Sequence, residues 1–332
     1  MTIHEVSRRL GISKGTIWRA LNNADDINPN TRERVLRQLD EIGYRPSRMA
    51  QALSTGRSRV VSVWMGSLTS PYTSTVLYHL EQCIVRSSYD MLLRNLSYRS
   101  MNVDMRRLTA DWPTDGILVL DSIPWVQYAI ECNRDNPKPL VSMGVYCETS
   151  IDYVQIDLYE PFVAAMRHLW EQGCRRIAFL APERYMNQQQ GRYRAYCEVT
   201  QEMGMPQQHI VADRIHRRDA MEAVSAYIAT GASFDAILAF NDLHAIGAYR
   251  ALRSHGIQVP NEVALVGCDG LEETEYYEHP LSTIIMPIPE MCEMAWQFLR
   301  DQIQEPDQEP RSAILSAKLE IRDSSTRTTR KT

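Results

Sequence analysis

Residues 2–22 read TIHEVSRRLGISKGTIWRALN, and the rest of the chain is organised around this stretch. Thr2 can cap a first helix, and Glu5 three residues later completes a capping box. Gly11 follows the apolar stripe of that helix, where a chain leaving a helix needs a positive φ. Ser13 is a good N-cap for a second helix. The pattern predicts two short helices joined by a tight turn.

The second helix, predicted over residues 14–21, has two different faces. Its inner face is apolar and consists of Ile17, Ala20 and Leu21. Its outer face suits a helix that enters a DNA major groove. A polar helical hairpin with a solvated face would show the same pattern, so the pattern alone leaves both alternatives open. The outer-face residues are Lys14, Gly15, Thr16, Trp18 and Arg19.

Charge is distributed unevenly along the chain. Residues 1–59 carry 11 basic and 6 acidic side chains, a net +5, while the remainder carries 25 basic and 35 acidic, a net −10. A basic N-terminal segment followed by an acidic remainder fits an N-terminal domain that binds phosphate groups, because the acidic remainder is not suited to bind them. Ordinary variation of charge between small domains remains the alternative.

A third helix completes the N-terminal domain. Asn30 is expected to cap it, Glu33 to stand at its third position, and Gly43 to end it. Pro46 keeps Arg45 out of the helical region and ends the domain there. The domain is therefore predicted to span residues 1–46.

Residues 47–55, SRMAQALST, form a weak helical pattern between Pro46 and Gly56. Nine residues with so few apolar side chains cannot form a stable helix alone in water. From composition, a plain linker over residues 47–57 fits equally well.

From Val60 onward the sequence takes on an α/β texture. Alternation of short apolar runs with amphipathic stretches predicts parallel sheets in right-handed βαβ units, here as two doubly wound lobes. The predicted strands are residues 60–65, 91–93, 116–120, 140–143, 153–156, 176–180, 210–212, 236–240 and 263–266. The predicted helices include residues 72–87, 161–172, 192–203, 219–230 and 243–255.

Composition and motifs bound the class of protein. A chain of 332 residues predicts two or three domains. No apolar run reaches membrane-spanning length and no signal peptide is visible, so a cytoplasmic protein is expected. The seven cysteines lack metal-site or disulfide spacing, and no dinucleotide, phosphate-loop or hydrolase motif occurs. No catalytic residue, cofactor or metal is therefore predicted.

The N-terminal run resembles the headpiece of the lactose-repressor and galactose-repressor family. It matches the family pattern at Val6, Gly11, Ser13, Thr16, Arg19, Leu21 and Asn22. Ser7 and Trp18 stand where Ala and Ser are usual. Further family segments follow in order as far as Asp323: LTSPY at 68–72, DGI at 115–117, VQID at 154–157, GCRRIAF at 173–179, FNDLHAIG at 240–247, VP at 259–260, VGCD at 266–269 and PLST at 280–283.

The resemblance implies a helix-turn-helix headpiece on a core of the periplasmic-binding-protein type. The implied protein is a homodimeric transcription regulator, most simply a repressor, that binds a palindromic operator and responds to a carbohydrate or related metabolite. The implied core spans residues 58–323, with lobe 1 at 58–157 and 287–313, lobe 2 at 158–286 and 314–323, and a polar tail at 324–332. A cytoplasmic enzyme or ligand carrier with an incidental helical N-terminus is the rival hypothesis.

The resemblance also implies which residues contact DNA. In the family the segment after the headpiece folds on operator DNA and a leucine enters the minor groove, and Leu53 holds that position. The implied DNA-contacting residues are Thr2, Ser13, Lys14, Gly15, Thr16, Trp18, Arg19, Asn22, Arg45, Ser47, Ala50 and Leu53.

The implied effector site lies between the lobes. Three departures from the family pattern make it unusual: Gln189 takes the place of an arginine, Gly144 that of an aspartate, and Ile215 that of a stacking aromatic. Arg184 or Tyr185 could compensate, or belong to a solvated loop. Asp157 at the crossover could hold the lobes together or touch ligand. The implied effector-binding residues are Ser67, Ser70, Tyr72, Gln189, Asn241 and Asp269.

Overall fold

The structure is a computed structural model, and it describes residues 1–21, 24, 26–45, 56–96, 114–121, 123–133, 137–306 and 308–327. The chain divides into two compact units. One is formed by the N-terminal residues as far as Val60 with a short segment ending at Asp115, and the other by the rest of the chain. No helix in the described ranges is long and apolar enough to span a membrane.

The N-terminal unit contains a three-helix domain. Its helices are α1 (Ile3–Leu10), α2 (Lys14–Leu21) and α3 (Pro29–Glu41). Each helix contributes at least one fully buried apolar side chain, so the small core uses all three elements. The buried residues are Val6, Ile17, Ala20, Val35, Leu39 and Tyr44.

The predicted helix ends are confirmed for α1 and α2. The Thr2 amide donates to Glu5 Oε2 at 2.7 Å, and the Glu5 amide donates to Thr2 Oγ1 at 3.3 Å, which is the complete capping box. Gly11 has φ +65°, and Ser13 Oγ accepts from the Thr16 amide at 3.1 Å.

The predicted start of α3 was wrong. Its N-cap is Asn28, whose side chain accepts from the amides of Asn30 and Thr31, and Pro29 occupies the first helical position. Proline is favoured there because its φ is preset and its missing N–H needs no partner. Asn30 therefore lies inside the first turn.

The second unit alternates strands and helices. Its strands are β1 (Val60–Met65), β2 (Asp90–Asn95), β3 (Gly116–Leu120), β4 (Leu140–Gly144), β5 (Asp152–Asp157), β6 (Ile177–Pro182), β7 (Gln208–Ala212), β8 (Ala236–Ala239), β9 (Ala264–Asp269), β10 (Ser282–Ile285), β11 (Ser312–Ser316) and β12 (Lys318–Glu320). Its helices are α4 (Pro71–Arg86), α5 (Ile123–Cys132), α6 (Tyr159–Glu171), α7 (Gly191–Glu202), α8 (Arg217–Ala229), α9 (Asp242–Ser254) and α10 (Ile288–Gln304).

These strands form two sheets of the same design, as the α/β pattern predicted. The first has the order β11-β5-β4-β3-β1-β2 and the second the order β12-β10-β9-β8-β6-β7. Neighbouring strands pair in parallel wherever the register is defined, except that β12 runs antiparallel to β10. We call the first sheet with its helices lobe 1 and the second lobe 2.

The chain passes between the lobes in three places. It leaves lobe 1 after β5, returns after β10 to form α10 and β11, and crosses again to β12. The last crossing is at Ala317, so the boundary expected between residues 313 and 314 falls inside β11. The short strands β10, β11 and β12 and the helix α10 had not been singled out from the sequence.

The parallel strands determine where a ligand site is expected. In doubly wound sheets, ligands bind beyond the carboxyl ends of the strands, where the loops leave the sheet. Here β3 and β4 of lobe 1 and β6, β8 and β9 of lobe 2 are buried along their whole length. Their rigid carboxyl ends carry the loops described below.

Candidate functional sites

A cavity of about 230 Å³ lies at the carboxyl ends of the strands, with walls from both lobes. Five of the six predicted effector-binding residues line it: Ser67, Ser70, Tyr72, Asn241 and Asp269. They come from two different sheets, so the fold brings together residues separated by about two hundred positions. Their role as ligand contacts remains a prediction.

Gln189 is the exception. It is exposed and lines a separate, neighbouring cavity of about 180 Å³, together with Asp157. Asp157 Oδ1 accepts from the Tyr159 amide at 3.1 Å, across the turn into α6. Gln189 therefore does not line the main cavity, and its role as an effector contact stays a prediction.

Arg192 is the cation of the main cavity. It stands in the first turn of α7 and only 5% of it is exposed. Its Nη1 donates to the hydroxyl of Tyr146 at 2.9 Å, and its guanidinium lies 4.3 Å from the ring centre of Phe240. Its Nε has no hydrogen-bond partner among the described atoms. The cavity therefore contains one guanidinium group, from a residue that the sequence analysis did not single out as a ligand contact.

Two carboxylates face the same cavity from opposite lobes. Asp269 ends β9 in lobe 2, and Asp121 follows β3 in lobe 1. Burial, aided by the nearby carboxylates of Asp242 and Asp121, raises the pKa of Asp269 well above its ordinary value. Burial also raises the pKa of Asp121. Sequence analysis missed Asp121, because the residue after a strand end is informative only once its neighbours are known.

A third carboxyl group, that of Asp242, lies close to Asp269. It accepts from Thr283 Oγ1 at 2.6 Å and from the Leu271 amide at 2.8 Å. Burial raises the pKa of Asp242 to about 6. Asp242 thus fixes the turn after β9 that presents Asp269.

Asn241 has two roles in the geometry. Its Oδ1 accepts from the His244 amide at 3.1 Å and caps α9. This bond fixes the side chain, and its NH₂ group faces the carboxyl group of Asp269. A buried amide held in this way is a rigid donor at the carboxyl end of β8.

Aromatic rings form one wall of the cavity. Tyr185 stacks on Phe240 with ring centres 4.6 Å apart and also faces Tyr146 at 6.1 Å. Tyr185 therefore belongs to the cavity wall, whereas Arg184 is exposed and lies 4.9 Å above the Tyr185 ring. Ile215, which replaces the expected aromatic, also lines the cavity. The aromatic rings of this wall therefore come from Tyr185 and Phe240 and not from position 215.

The outer face of α2 is the candidate DNA interface. Lys14 and Gly15 are exposed, and 41% of Trp18 is exposed. Arg19 Nη1 lies 3.5 Å from Asp26 Oδ2, and Lys14 Nζ lies 3.2 Å from His4 Nε2. Both contacts are on the surface, where an exposed ion pair contributes at most about 1 kcal/mol. DNA phosphates or bases can therefore replace them.

The remaining predicted DNA contacts fall into two groups. Thr2 is used in the cap of α1, Thr16 Oγ1 contacts Ser13 Oγ at 2.8 Å, and Arg45 is exposed beside Asp40 at 3.4 Å. The other four lie outside the described residues, so the hinge hypothesis stays a prediction. They are Asn22, Ser47, Ala50 and Leu53.

The described cysteines and metal-binding side chains point to no further site. Six cysteines are buried and unpaired, namely Cys83, Cys147, Cys174, Cys197, Cys268 and Cys292. Within the described residues, no group of three or more His, Cys, Asp or Glu side chains could hold a metal ion.

Two family models match the chain in sequence order. Residues 2–47 match the bacterial regulatory proteins of the lacI family, and residues 166–325 match the periplasmic binding protein-like domain. The chain is 24% identical over 327 residues to the HTH-type transcriptional repressor PurR of Photobacterium profundum, covering 97% of this chain and 98% of that protein.

Solved structures of known regulators have a fold similar to that of this chain. The lac repressor dimer bound to operator and the anti-inducer ONPF has a TM-score of 0.85 at 20% identity, covering 98% of this chain and 99% of that chain. The complex of the transcriptional regulator CelR with cellobiose has a TM-score of 0.70 at 26% identity, with the same coverage.

The class of protein follows from this combination of a helix-turn-helix headpiece and a two-lobed core with a polar cleft. The chain belongs to the LacI family of bacterial regulatory proteins. It is a DNA-binding regulator controlled by a ligand and not an enzyme.

Proposed function

We propose that this protein is a homodimeric repressor whose affinity for a palindromic operator is set by a small polyhydroxylated effector bound in the cleft. One observation carries the proposal: the cavity takes its polar groups from both lobes. Asp121 and Tyr72 come from lobe 1, while Arg192, Asn241 and Asp269 come from lobe 2. A ligand that contacts both lobes changes their relation.

The chemistry of the cavity favours a carbohydrate or related metabolite. Asp121 and Asp269 accept hydrogen bonds, Arg192 and Asn241 donate them, and the Tyr185–Phe240 stack offers an apolar ring face. A volume of about 230 Å³ lies below the roughly 300–1,000 Å³ typical of ligand pockets, which favours a compact ligand. The solved CelR relative is a complex with cellobiose.

Control of DNA binding follows from differential affinity for two arrangements of the lobes. Such coupling is typically about 1–3 kcal/mol, or roughly 5–150-fold in affinity. In this proposal two headpieces occupy two half-sites and the segments at 47–57 transmit the relation of the lobes to them. A regulator of chromosomal operators acts in the cytoplasm, where we place this protein.

A dimer would cover an apolar face that the isolated chain exposes. On α4 of lobe 1, Tyr78 and Val85 are seven residues apart on one face and are 63% and 52% exposed. On lobe 2, Tyr276 is 77% exposed. Symmetric pairing of two chains buries the same patch on each partner.

The test is selection of operator sequences from random duplex DNA with the full chain, followed by light scattering of the free protein. We expect an enriched palindrome and the mass of a dimer, and Tyr78→Glu should shift that mass toward a monomer. Uniform binding of random DNA, or turnover of a bound metabolite, would instead favour the rival enzyme or carrier.

Thermal shift then identifies the effector, because binding raises the apparent stability by mass action. A panel of sugars, polyols and nucleosides is added to the full chain. Each hit is then tested for its effect on operator affinity, and a ligand that shifts melting without changing DNA binding would contradict control through the cleft.

A further inference from the structure

Asp121 occupies an unusual place at the exit of β3. Its Oδ1 accepts hydrogen bonds from the Val145 amide at 2.5 Å and the Tyr146 amide at 3.3 Å, both in the chain leaving β4. The carboxyl group therefore reaches from the end of one strand across the end of the next. Two backbone amides thus hold the carboxyl group in position, and the hydroxyl of Tyr72 lies beside it.

Gly144 makes this position available. A Cβ atom on Gly144 would lie 2.2 Å from Asp121 Oδ1 and 2.6 Å from its Cγ. Real Cβ contacts are never this short, so residue 144 must lack a side chain while Asp121 stands where it does. The φ of Gly144 is +119°, which side chains also disfavour. The carboxyl group of Asp121 thus occupies the space that a side chain at position 144 would otherwise take.

Backbone strain marks the same two carboxylates. Among the described non-glycine residues, positive φ occurs at Arg59, Ser88, Asp121 and Asp269. Two of these four are the aspartates of the cavity, with φ of +52° and +128°. Such conformations are unfavourable and persist where surrounding structure enforces them, often at ligand sites. Both of these aspartates line the cavity, one from each lobe.

The charges of the cavity do not balance. Among the described residues that line it, Asp121 and Asp269 face one cation, Arg192. The Nη1 atom of Arg192 is already bonded to Tyr146, and its guanidinium lies over Phe240. Asp242 adds a third carboxyl group directly behind Asp269. Mutual repulsion among these carboxyl groups already disfavours their ionised forms, and an anionic ligand would add to that repulsion. A ligand that donates hydrogen bonds stabilises the carboxylates instead.

We propose that Asp121, admitted by Gly144, is a ligand-recognition residue, and that with Asp269 it restricts the effector to hydrogen-bond donors without negative charge. The inference rests on the proposed function and deepens it. It excludes phosphorylated sugars, sugar acids and nucleotides as effectors. It selects uncharged or amine-bearing polyols that donate to both lobes.

Two variants test the role of Asp121, one by removing its charge and the other by displacing it. Asp121→Asn keeps the Oδ1 acceptor for Val145 and Tyr146, and asparagine tolerates positive φ almost as well as aspartate. Gly144→Ala forces the Asp121 carboxylate out of its place by a different route. Glu131→Gln, at an exposed position on α5, is the matched control for removal of one negative charge from lobe 1.

The experiment uses the full chain, its selected operator fragment and a polar metabolite extract split on an anion exchanger. Pairs of probes accompany the fractions: ribose with ribose 5-phosphate, and glucose with glucosamine and glucose 6-phosphate. The readouts are operator affinity and thermal midpoint. We expect only the unretained fraction to act, and Asp121→Asn and Gly144→Ala each to require at least about tenfold more of it. Glu131→Gln should respond like the wild type.

The outcomes separate the inference from the proposed function. Activity in the retained, anionic fraction, or unchanged sensitivity of both variants to the unretained fraction, overturns the role of Asp121 and leaves a ligand-controlled repressor intact. If neither fraction acts on a chain that binds its selected operator, effector control through this cleft is wrong, and the inference falls with it.

Discussion

Arg192 of lobe 2 donates a hydrogen bond from Nη1 to the hydroxyl of Tyr146 of lobe 1, at 2.9 Å, across the cavity. The ring of Tyr146 also faces Tyr185 of lobe 2, nearly parallel and 6.1 Å away. The two lobes are thus linked directly at the cavity that we propose for the effector. An effector that takes up the guanidinium must share or replace this bond, which connects ligand binding to the relation of the lobes.

Tyr146→Phe should therefore increase the apparent affinity for the effector. The variant keeps the stacked ring and removes only the acceptor for Arg192, so the ligand no longer competes with a hydrogen bond to a charged group, worth about 1.5–3 kcal/mol. Titration of the operator complex with effector should show a gain of roughly 10–150-fold. A loss of affinity would mean that the Tyr146 hydroxyl itself contacts the ligand. The hypothesis that the ligand competes with this hydroxyl for Arg192 would then be wrong.

Asp269→Asn should abolish the response to effector and leave operator binding of the protein nearly unchanged. The substitution preserves the shape of the side chain but replaces one carboxyl oxygen at the end of β9 with an amide group, which cannot accept a hydrogen bond. Fluorescence anisotropy on the selected operator, with and without effector, measures both properties. Glu222→Gln, at an exposed site on α8, is the control. A response at the same effector concentration as the wild type would show that the cavity has been assigned to the wrong ligand site.

Arg19→Ala should weaken specific binding by about 1–3 kcal/mol if Arg19 reads a guanine edge in the major groove. Within the described part of the headpiece Arg19 pairs with the exposed Asp26, and loss of such a surface pair costs little stability. Affinity should be measured on operator and on random DNA in the same buffer, with Arg37→Ala as the control on α3. An equal loss on both DNAs would identify Arg19 as a phosphate contact without a part in sequence reading.

His244 should make the stability of lobe 2 depend on pH. It is fully buried at the start of α9, its Nε2 lies 3.0 Å from the Arg214 carbonyl oxygen, and burial lowers its pKa to about 4. Because the folded pKa lies below the ordinary value of about 6.5, the unfolded chain takes up the proton first. This contribution to stability is complete above pH 6.5 and is lost as the pH falls toward 4.

Urea unfolding at pH 7.5 and pH 5.0 measures the effect. The free energy of unfolding of the wild type should fall between these values by about 2 kcal/mol more than that of His244→Gln, which cannot titrate. His168, whose pKa is also lowered by burial, is present in both proteins and cancels in the comparison. Parallel pH profiles for the two proteins would show that His244 does not titrate with unfolding.

Local patterns were enough to predict the order of the parts. The capping box of Thr2 and Glu5 and the positive φ at Gly11 depend on residues only a few positions apart, and both occur as predicted. The alternation of apolar runs predicted the two parallel sheets, because this pattern also depends on residues that are close together in sequence. Five of the six proposed effector residues fell in one cavity, because the carboxyl ends of parallel strands meet at one edge.

Where the sequence was misleading, the outcome depended on the start of a helix or on a neighbouring strand. One residue turns a helix by about 100°, so the start of α7 at Gly191 decides that Arg192, and not Gln189, enters the main cavity. The start of α3 moved for a comparable reason, since Pro29 favours the first helical position.

Only the tertiary structure could reveal the role of Asp121. This residue and Gly144 are 23 positions apart in sequence, and nothing local to either predicts that one carboxylate fills the space of the other's missing side chain. The parallel pairing of β3 with β4 brings them together. The sequence by itself determined the family of folds and the edge of the sheets that holds the site. The charge and shape of that site were decided by contacts between strands and between lobes, because those depend on which side chains the packed sheets place next to each other.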